Sequence, residues 1–318
     1  MRLSTGCTFI LGLVLILGSM TCAGAGVAGS NVVAWGADSE EVDRGQCDVP
    51  DDMFRAIAAG GEHSLGIGTD GTLDAWGRND FGQCNAPSGT FRAIGGGVFH
   101  SLGIRTDGTL AAWGWNYAGQ CNVPSGTFTA VAAGQVHSLG LRTDGTLATW
   151  GGNLDGQCNV PGGTFAAIAA GEVYSLGIRT DGTLVAWGHN YDGQCNAPDG
   201  RFTAITAGGN SSYAIRADGT LVAWGDNHYG QCNAPSGTFA SIAAGSGYCV
   251  GLQSDGTLVA WGLDFAGQCQ VPSGMYSAIV AGGSHGLAIR AVPEPSSLLV
   301  LGGGLAGLGG MALRRRRG

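Results

Sequence analysis

Seven Gly-Gln-Cys triplets place Cys47, Cys84, Cys121, Cys158, Cys195, Cys232 and Cys269 at a constant interval of 37 residues. Thiols can ligate soft metals, form disulfides or attack electrophiles. No Cys-x-x-Cys pair and no Cys/His cluster at metal spacing accompanies them, which argues against a metal centre. Four histidines, His63, His100, His137 and His285, share one repeat position that Tyr174, Ser211 and Tyr248 fill elsewhere. A metal ring or catalytic set would not tolerate that exchange, so these histidines are expected to be structural and hydrogen-bonded. The recurring Asp-Gly suits a turn, and no Asp-x-Asp-x-Asp loop surrounds it as calcium would require. No Ser-His-Asp set, carboxylate pair or phosphate loop stands apart from the repeat. The sequence therefore assigns no catalytic residue, no metal and no cofactor.

What positions these residues is the repeat itself. Trp-Gly occurs at Trp35, Trp76, Trp113, Trp150, Trp187, Trp224 and Trp261, with a first interval of 41 residues and 37 thereafter. In the copy GTFTAVAAG…HSLGLRTDGTLATWG, each apolar run is bounded by glycine, and Asp-Gly between two of them predicts a tight hairpin turn whose two central residues both take positive φ. A sheet of three such strands cannot bury both faces alone, whereas radial stacking of seven can. The first copy opens with Val32-Val33-Ala34-Trp35-Gly36 and the last ends after the arm from Gly283 to Arg290, so the two halves complete one blade. The expected fold is all-β: a seven-bladed β-propeller of 37-residue repeats closed by the N-terminal strand, over residues 29–291. On such a ring, equivalent positions beyond a radius of about 10 Å lie ~9 Å apart, outside the ~7 Å reach of a disulfide's Cα atoms. The Gly-Gln-Cys thiols are thus expected to fill small apolar pockets, and Cys249, outside that series, could pair with a nearby one.

HSLGIRTDGTLAAWG followed by Asn-x-x-Gly-Gln resembles the repeat of the regulator of chromosome condensation family in a short form. The Gln-Cys-Asn-Val-Pro variant and the strand closure are closest to secreted bacterial members, propeller-type β-lactamase inhibitors among them. The resemblance implies the propeller fold; it leaves the function open.

The ends carry addresses. Met1-Arg2, the apolar run from Phe9 to Leu17 and the small residues at 23–28 read as a signal peptide over residues 1–28. At the other end, VPEPSS, the run LLVLGGGLAGLGGMAL and RRRRG resemble the PEP-CTERM sorting signal over residues 292–318: a Pro-Glu-Pro motif, a membrane helix and an arginine cluster. That resemblance implies a Gram-negative bacterial protein, anchored transiently in the inner membrane through this helix alone. An exosortase-type enzyme would then cut near Val292, Pro293, Glu294 and Pro295 and pass the protein to the cell surface or extracellular matrix. All fifteen basic residues are arginine, four of them at 314–317, and the net charge is -8, so the acidic body is not expected to bind nucleic acid.

Two stretches change from copy to copy: the pair before each His position and the residues between Trp-Gly and Gly-Gln-Cys. Tracing strand directions puts both on one rim of the propeller. That rim would display Phe81, Phe99, Trp115, Tyr117, Tyr191, His228, Tyr229 and Phe265 among carboxylates such as Asp155 and Asp192. Aromatics among carboxylates are the residue types that anchor protein or glycan contacts. The expected function is non-enzymatic binding of a protein or extracellular polysaccharide by a monomeric module; the alternative is inhibition of a secreted enzyme.

Overall fold

The computed structural model describes residues 30–37 and 42–291. The expected signal peptide, the Pro-Glu-Pro motif with the apolar run and arginine cluster after it, and residues 38–41 of the first loop lie outside the described residues.

Each 37-residue unit folds as three antiparallel strands. β1 (Val32–Gly36) opens the chain. Six hairpin triplets follow: β2 (Phe54–Ala59), β3 (His63–Gly68), β4 (Leu73–Gly77); β5 (Phe91–Gly96), β6 (His100–Arg105), β7 (Leu110–Gly114); β8 (Phe128–Ala133), β9 (His137–Arg142), β10 (Leu147–Gly151); β11 (Phe165–Ala170), β12 (Tyr174–Arg179), β13 (Leu184–Gly188); β14 (Phe202–Ala207), β15 (Ser211–Arg216), β16 (Leu221–Gly225); β17 (Phe239–Ala244), β18 (Tyr248–Gln253), β19 (Leu258–Gly262). The last two strands, β20 (Tyr276–Ala281) and β21 (His285–Arg290), take β1 as their third. Trp35 pairs with Gly286 and Gly36 with His285, the register that Trp76 and Gly77 make with Ser64 and His63 in the next blade. The fold is the expected seven-bladed propeller closed by the N-terminal strand.

The first strand of each triplet lies nearest the axis and ends in buried alanine or glycine, so neighbouring blades approach closely. Phe91 packs against Trp113 of its own blade, ring centroids 6.4 Å apart. The middle strand passes beneath them at Gly103, where a Cβ would come within 2.7 Å of the Phe91 ring. A larger residue there would push the two rings apart. The Gly of Trp-Gly has a different reason: Gly77 has φ +97° and a Cβ would meet the Glu62 carbonyl at 2.8 Å.

One local expectation is corrected. Five residues, 68–72, separate the paired Ile67 and Leu73, and of the Asp-Gly pair only Gly71 has positive φ. The Asp70 carboxylate accepts from the backbone N–H of Thr72 at 2.9 Å and from its hydroxyl at 2.6 Å, which stabilises a wider loop than a two-residue turn. The same contacts hold Asp70 below the usual carboxylate range.

Deleting residues 31–36 would expose the edge of β21 and remove the buried Trp35 indole, whose loss alone costs about 3–5 kcal/mol in a core. The expected outcome is a melting temperature at least ~10 °C lower by circular dichroism, with self-association in size-exclusion chromatography; an unchanged transition would contradict closure by this strand.

Candidate binding face

The upper rim is built on a repeated loop, Trp-Gly-x-Asn-x-x-Gly-Gln-Cys, whose constant members bond to one another. Asn79 Oδ1 accepts from the Cys84 N–H at 2.9 Å, and Asn79 Nδ2 donates to Asn85 Oδ1 at 2.9 Å. Gln83 Oε1 accepts from the Phe81 N–H at 3.0 Å, turning the side chain back onto its own loop. The Gln83 backbone carbonyl faces the next blade, where Trp113 Nε1 donates to it at 2.8 Å and Ser101 Oγ at 2.9 Å. Equivalent Trp-to-Gln bonds occur in all seven blades, including Trp35 to Gln268 across the closure at 3.0 Å.

These bonds leave three loop positions free to vary, and the middle one points into solvent. Tyr117 is 87% exposed, Leu154 100%, Tyr191 88% and Phe265 58%. Leu154 was not among the residues expected from sequence; it lies 37 residues from both Tyr117 and Tyr191, so the repeat clock was the signal that marks it. Asp155, Asp192, His228 and Tyr229 are also exposed. His228 and Tyr229 meet edge to face at 4.9 Å.

Between the first two hairpin triplets the two variable stretches converge. Phe81 and Phe99 lie 5.3 Å apart, Phe99 and Trp115 5.9 Å, and Trp115 stacks on Tyr117 at 6.0 Å with the rings 9° from parallel. The Trp115 N–H donates to the Phe99 carbonyl at 2.8 Å, the bond that brings the stretches together. Phe99 and Trp115 are half-buried, so they support Phe81 and Tyr117 more than they display themselves. Arg78, also unanticipated, lies 5.5 Å over the Phe99 ring and is ion-paired with Glu62 and Asp80. Tyr191, Tyr229 and Phe265 belong to more distant blades and do not join this cluster.

The histidines lie below the rim and face the neighbouring blade. His63 Nε2 meets Ser101 Oγ at 2.8 Å, His100 meets Ser138 at 2.9 Å, His137 meets Ser175 at 3.0 Å, and His285 meets Ser64 at 2.9 Å across the closure. Because each serine hydroxyl already donates to a Gln carbonyl, as Ser64 does to Gln46 at 2.8 Å, it must accept from the histidine, which assigns the neutral Nε2–H tautomer. Nδ1 of all four is buried without a hydrogen-bond partner, so the expectation of fully bonded histidines holds for one nitrogen of each ring. Burial pushes His63 and His100 down to about 3 and His137 to about 4.

The thiols meet the expectation in part. All eight cysteines among the described residues are free, Cys249 included, and apart from the buried Cys47 the Gly-Gln-Cys thiols are half-buried. Cys47 lies in an apolar core cluster and Cys195 and Cys269 pack against such clusters, as expected, but polar contacts accompany them: Cys84 Sγ lies 3.2 Å from the Arg78 carbonyl, and Cys195 and Cys232 make the same contact in their loops. Burial raises Cys84, Cys121 and Cys195 to about 11, which makes them poor nucleophiles. At the axis, the Gly-x-x loops surround a cavity of about 40 Å³ lined by Gly134, Gln135, Gly171 and Glu172, room for water and too little for an organic substrate. Burial raises the Glu172 carboxyl above its ordinary value.

The regulator of chromosome condensation (RCC1) repeat matches at residues 54–83, 91–120, 128–157, 165–194 and 202–231, and the PEP-CTERM protein-sorting motif at 291–317. The chain is an RCC1-repeat β-propeller with a PEP-CTERM sorting motif. That motif makes it an exported, exosortase-sorted, surface-associated protein. Prp20p of Saccharomyces cerevisiae superposes with a TM-score of 0.69 at 16% identity, over 88% of this chain and 94% of that one. The ectodomain of the Physcomitrella patens receptor kinase CR4 gives 0.63 at 24% identity, over 71% and 67%. Human WBSCR16 gives 0.66 at 18%, over 76% and 87%. At these identities the likeness is one of fold. Comparison by sequence with curated proteins gives no match.

The RCC1-repeat propeller should lose stability in acid through its histidines. Each is neutral when folded and has an ordinary value of 6.5 when unfolded, so its contribution is complete above pH 6.5 and declines below it by about 1.4 kcal/mol per pH unit until the folded value is reached. Urea unfolding between pH 7 and 4.5 should show this fall, reduced in slope by a His100→Gln substitution. A flat profile would contradict neutral, buried rings.

Proposed function

We propose that this exported propeller is a non-enzymatic module of the cell surface or extracellular matrix, which binds a protein or glycan partner through its upper rim. After transient anchoring in the inner membrane of a Gram-negative bacterium, it would be released or attached by exosortase-type processing near Val292 to Pro295. The observation that carries the reading is the display of Tyr117, Leu154 and Tyr191 into water on loops already fixed by their own Asn and Gln side chains. Leaving large apolar groups in solvent has no structural purpose in a loop whose conformation is set without them. A partner that covered them would gain their burial without an ordering cost on this side of the interface. The Phe81–Phe99–Trp115–Tyr117 cluster supplies a contiguous aromatic platform in the same rim. Several carboxylates around it favour partners with donor groups or positive charge.

The test uses the propeller body as bait on envelope and matrix fractions, followed by affinity measurement on the partner recovered. Tyr117→Ala, Leu154→Ala and Tyr191→Ala together should weaken binding by at least ~100-fold, on the order of 1–2 kcal/mol per anchor, with little change in melting temperature because all three are solvent-exposed. Unchanged affinity in the triple variant would refute the rim as a binding surface. A recovered enzyme whose activity the body blocks would favour the inhibitor reading of the same face.

A further inference from the structure

The chain leaves the propeller on the side opposite the aromatic rim. β21 starts at His285, paired with Gly36 at the upper end, and descends to Arg290. There the Arg290 N–H donates to the Asn31 carbonyl at 2.9 Å, and the Ala291 N–H donates to the Met275 carbonyl at 2.9 Å. The folded body therefore continues to Ala291, the residue at which the sorting motif begins. Only residues 292–297 separate it from the apolar run starting at Leu298, and two of them are prolines.

We infer that, while the tail is in the membrane, the lower face of the propeller is held against the lipid surface and the aromatic rim is turned away from it. The tether decides this. Seven chain steps reach at most about 25 Å when fully extended. A six-residue strand alone is about 20 Å tall, and the headgroup layer takes a further ~6 Å. To bring the upper rim to the bilayer, the tail would have to climb the full height of the blade, loops included, and still cross the headgroups, which exceeds its reach.

The charge distribution acts in the same direction and is independent of the tether. Apart from Arg44 and Arg78, every arginine between residues 29 and 291 lies at the lower ends of the blades, among the Asp-Gly turns. Arg201 donates to the Asp181 carbonyl, and Arg179 to that of Gly162. The upper loops instead carry Glu62, Asp80, Asp155, Glu172, Asp192, Asp226 and Asp264, with Arg78 already ion-paired to the first two. An anionic leaflet repels the upper rim and tolerates the nearly balanced lower face. The inference rests on export and sorting, and stands whether or not the rim binds a partner.

The mature full-length chain, reconstituted in vesicles of mixed zwitterionic and anionic lipid bearing a headgroup acceptor dye, tests it. A donor is attached at Asp144→Cys in a lower turn or at Leu154→Cys in an upper loop, both solvent-exposed, whereas the native thiols among the described residues are buried or half-buried. Energy transfer should be at least roughly twofold stronger from position 144, given a blade height of about 20 Å. Inserting a flexible Gly/Ser spacer of about thirty residues after Ala291 should abolish the difference at high salt, where surface charge is screened. Equal transfer without the spacer, stronger transfer from position 154, or a difference that survives the spacer at high salt would overturn the inference. None of these outcomes depends on a partner at the rim.

Discussion

One backbone carbonyl per blade carries the architecture. The Gln of each Gly-Gln-Cys belongs to a loop leaving one blade, and its carbonyl accepts from the Trp indole of the next at 2.7–3.0 Å. In five blades a serine hydroxyl shares that acceptor. Where a histidine of the preceding blade then donates to the serine, three groups from two blades are linked in one chain of buried bonds. A buried carbonyl left without these donors would cost about 1–3 kcal/mol, so Trp, Gln and Ser are tied to one another across a blade boundary. The 37-residue clock is the sequence-level trace of this tie, since donor and acceptor must keep step.

Two blades lack that serine; Gly286 takes its place at the closure, and the other blade shows the constraint operating. Cys249 stands where the serine would be, and its thiol points instead to the Val250 carbonyl at 3.9 Å, too long for a strong bond. The Gln231 carbonyl would then lose its second donor. In the preceding blade Tyr213 replaces the usual leucine, and its hydroxyl reaches the Gln231 carbonyl at 3.0 Å. Ser211, at the histidine position, bonds the Tyr213 hydroxyl at 3.1 Å rather than reaching across. Three departures from the repeat, each unexplained alone, restore one hydrogen bond together.

The same logic separates what was legible in the sequence from what was not. Blade number, strand limits and the closure by β1 follow from spacing, because they are fixed by period and register. The turn at Asp70 was misjudged because an Asx-type carboxylate bond to Thr72 competes with the two-residue hairpin turn, and the dipeptide alone does not distinguish them. The carbonyl contacts of the thiols were not legible for a related reason: Cys84 follows Gln83, whose carbonyl is committed to the next blade, and this orients the thiol toward carbonyls of its own loop. On the rim, the sequence located the variable positions, but only the structure separates the half-buried supports Phe99 and Trp115 from the displayed Tyr117. A preference for aromatic types passed over Leu154, although the repeat places it between Tyr117 and Tyr191.

The rim loops also explain how one scaffold can vary its surface without losing its fold. Asn79 and Gln83 close the loop through bonds within it and to the next blade, so the side chains at positions 78, 80 and 81 are not needed to close it. Arg78, Asp80 and Phe81 in one loop become Trp115, Tyr117 and Ala118 in the next, with the same bonds from Asn116 and Gln120 beneath them. Stability therefore depends on the Asn, Gln and Trp, and leaves the intervening side chains free to vary. Large apolar residues at such positions, on a face of excess negative charge and opposite the tail, are not demanded by the fold, and it is on them that the proposed binding role rests.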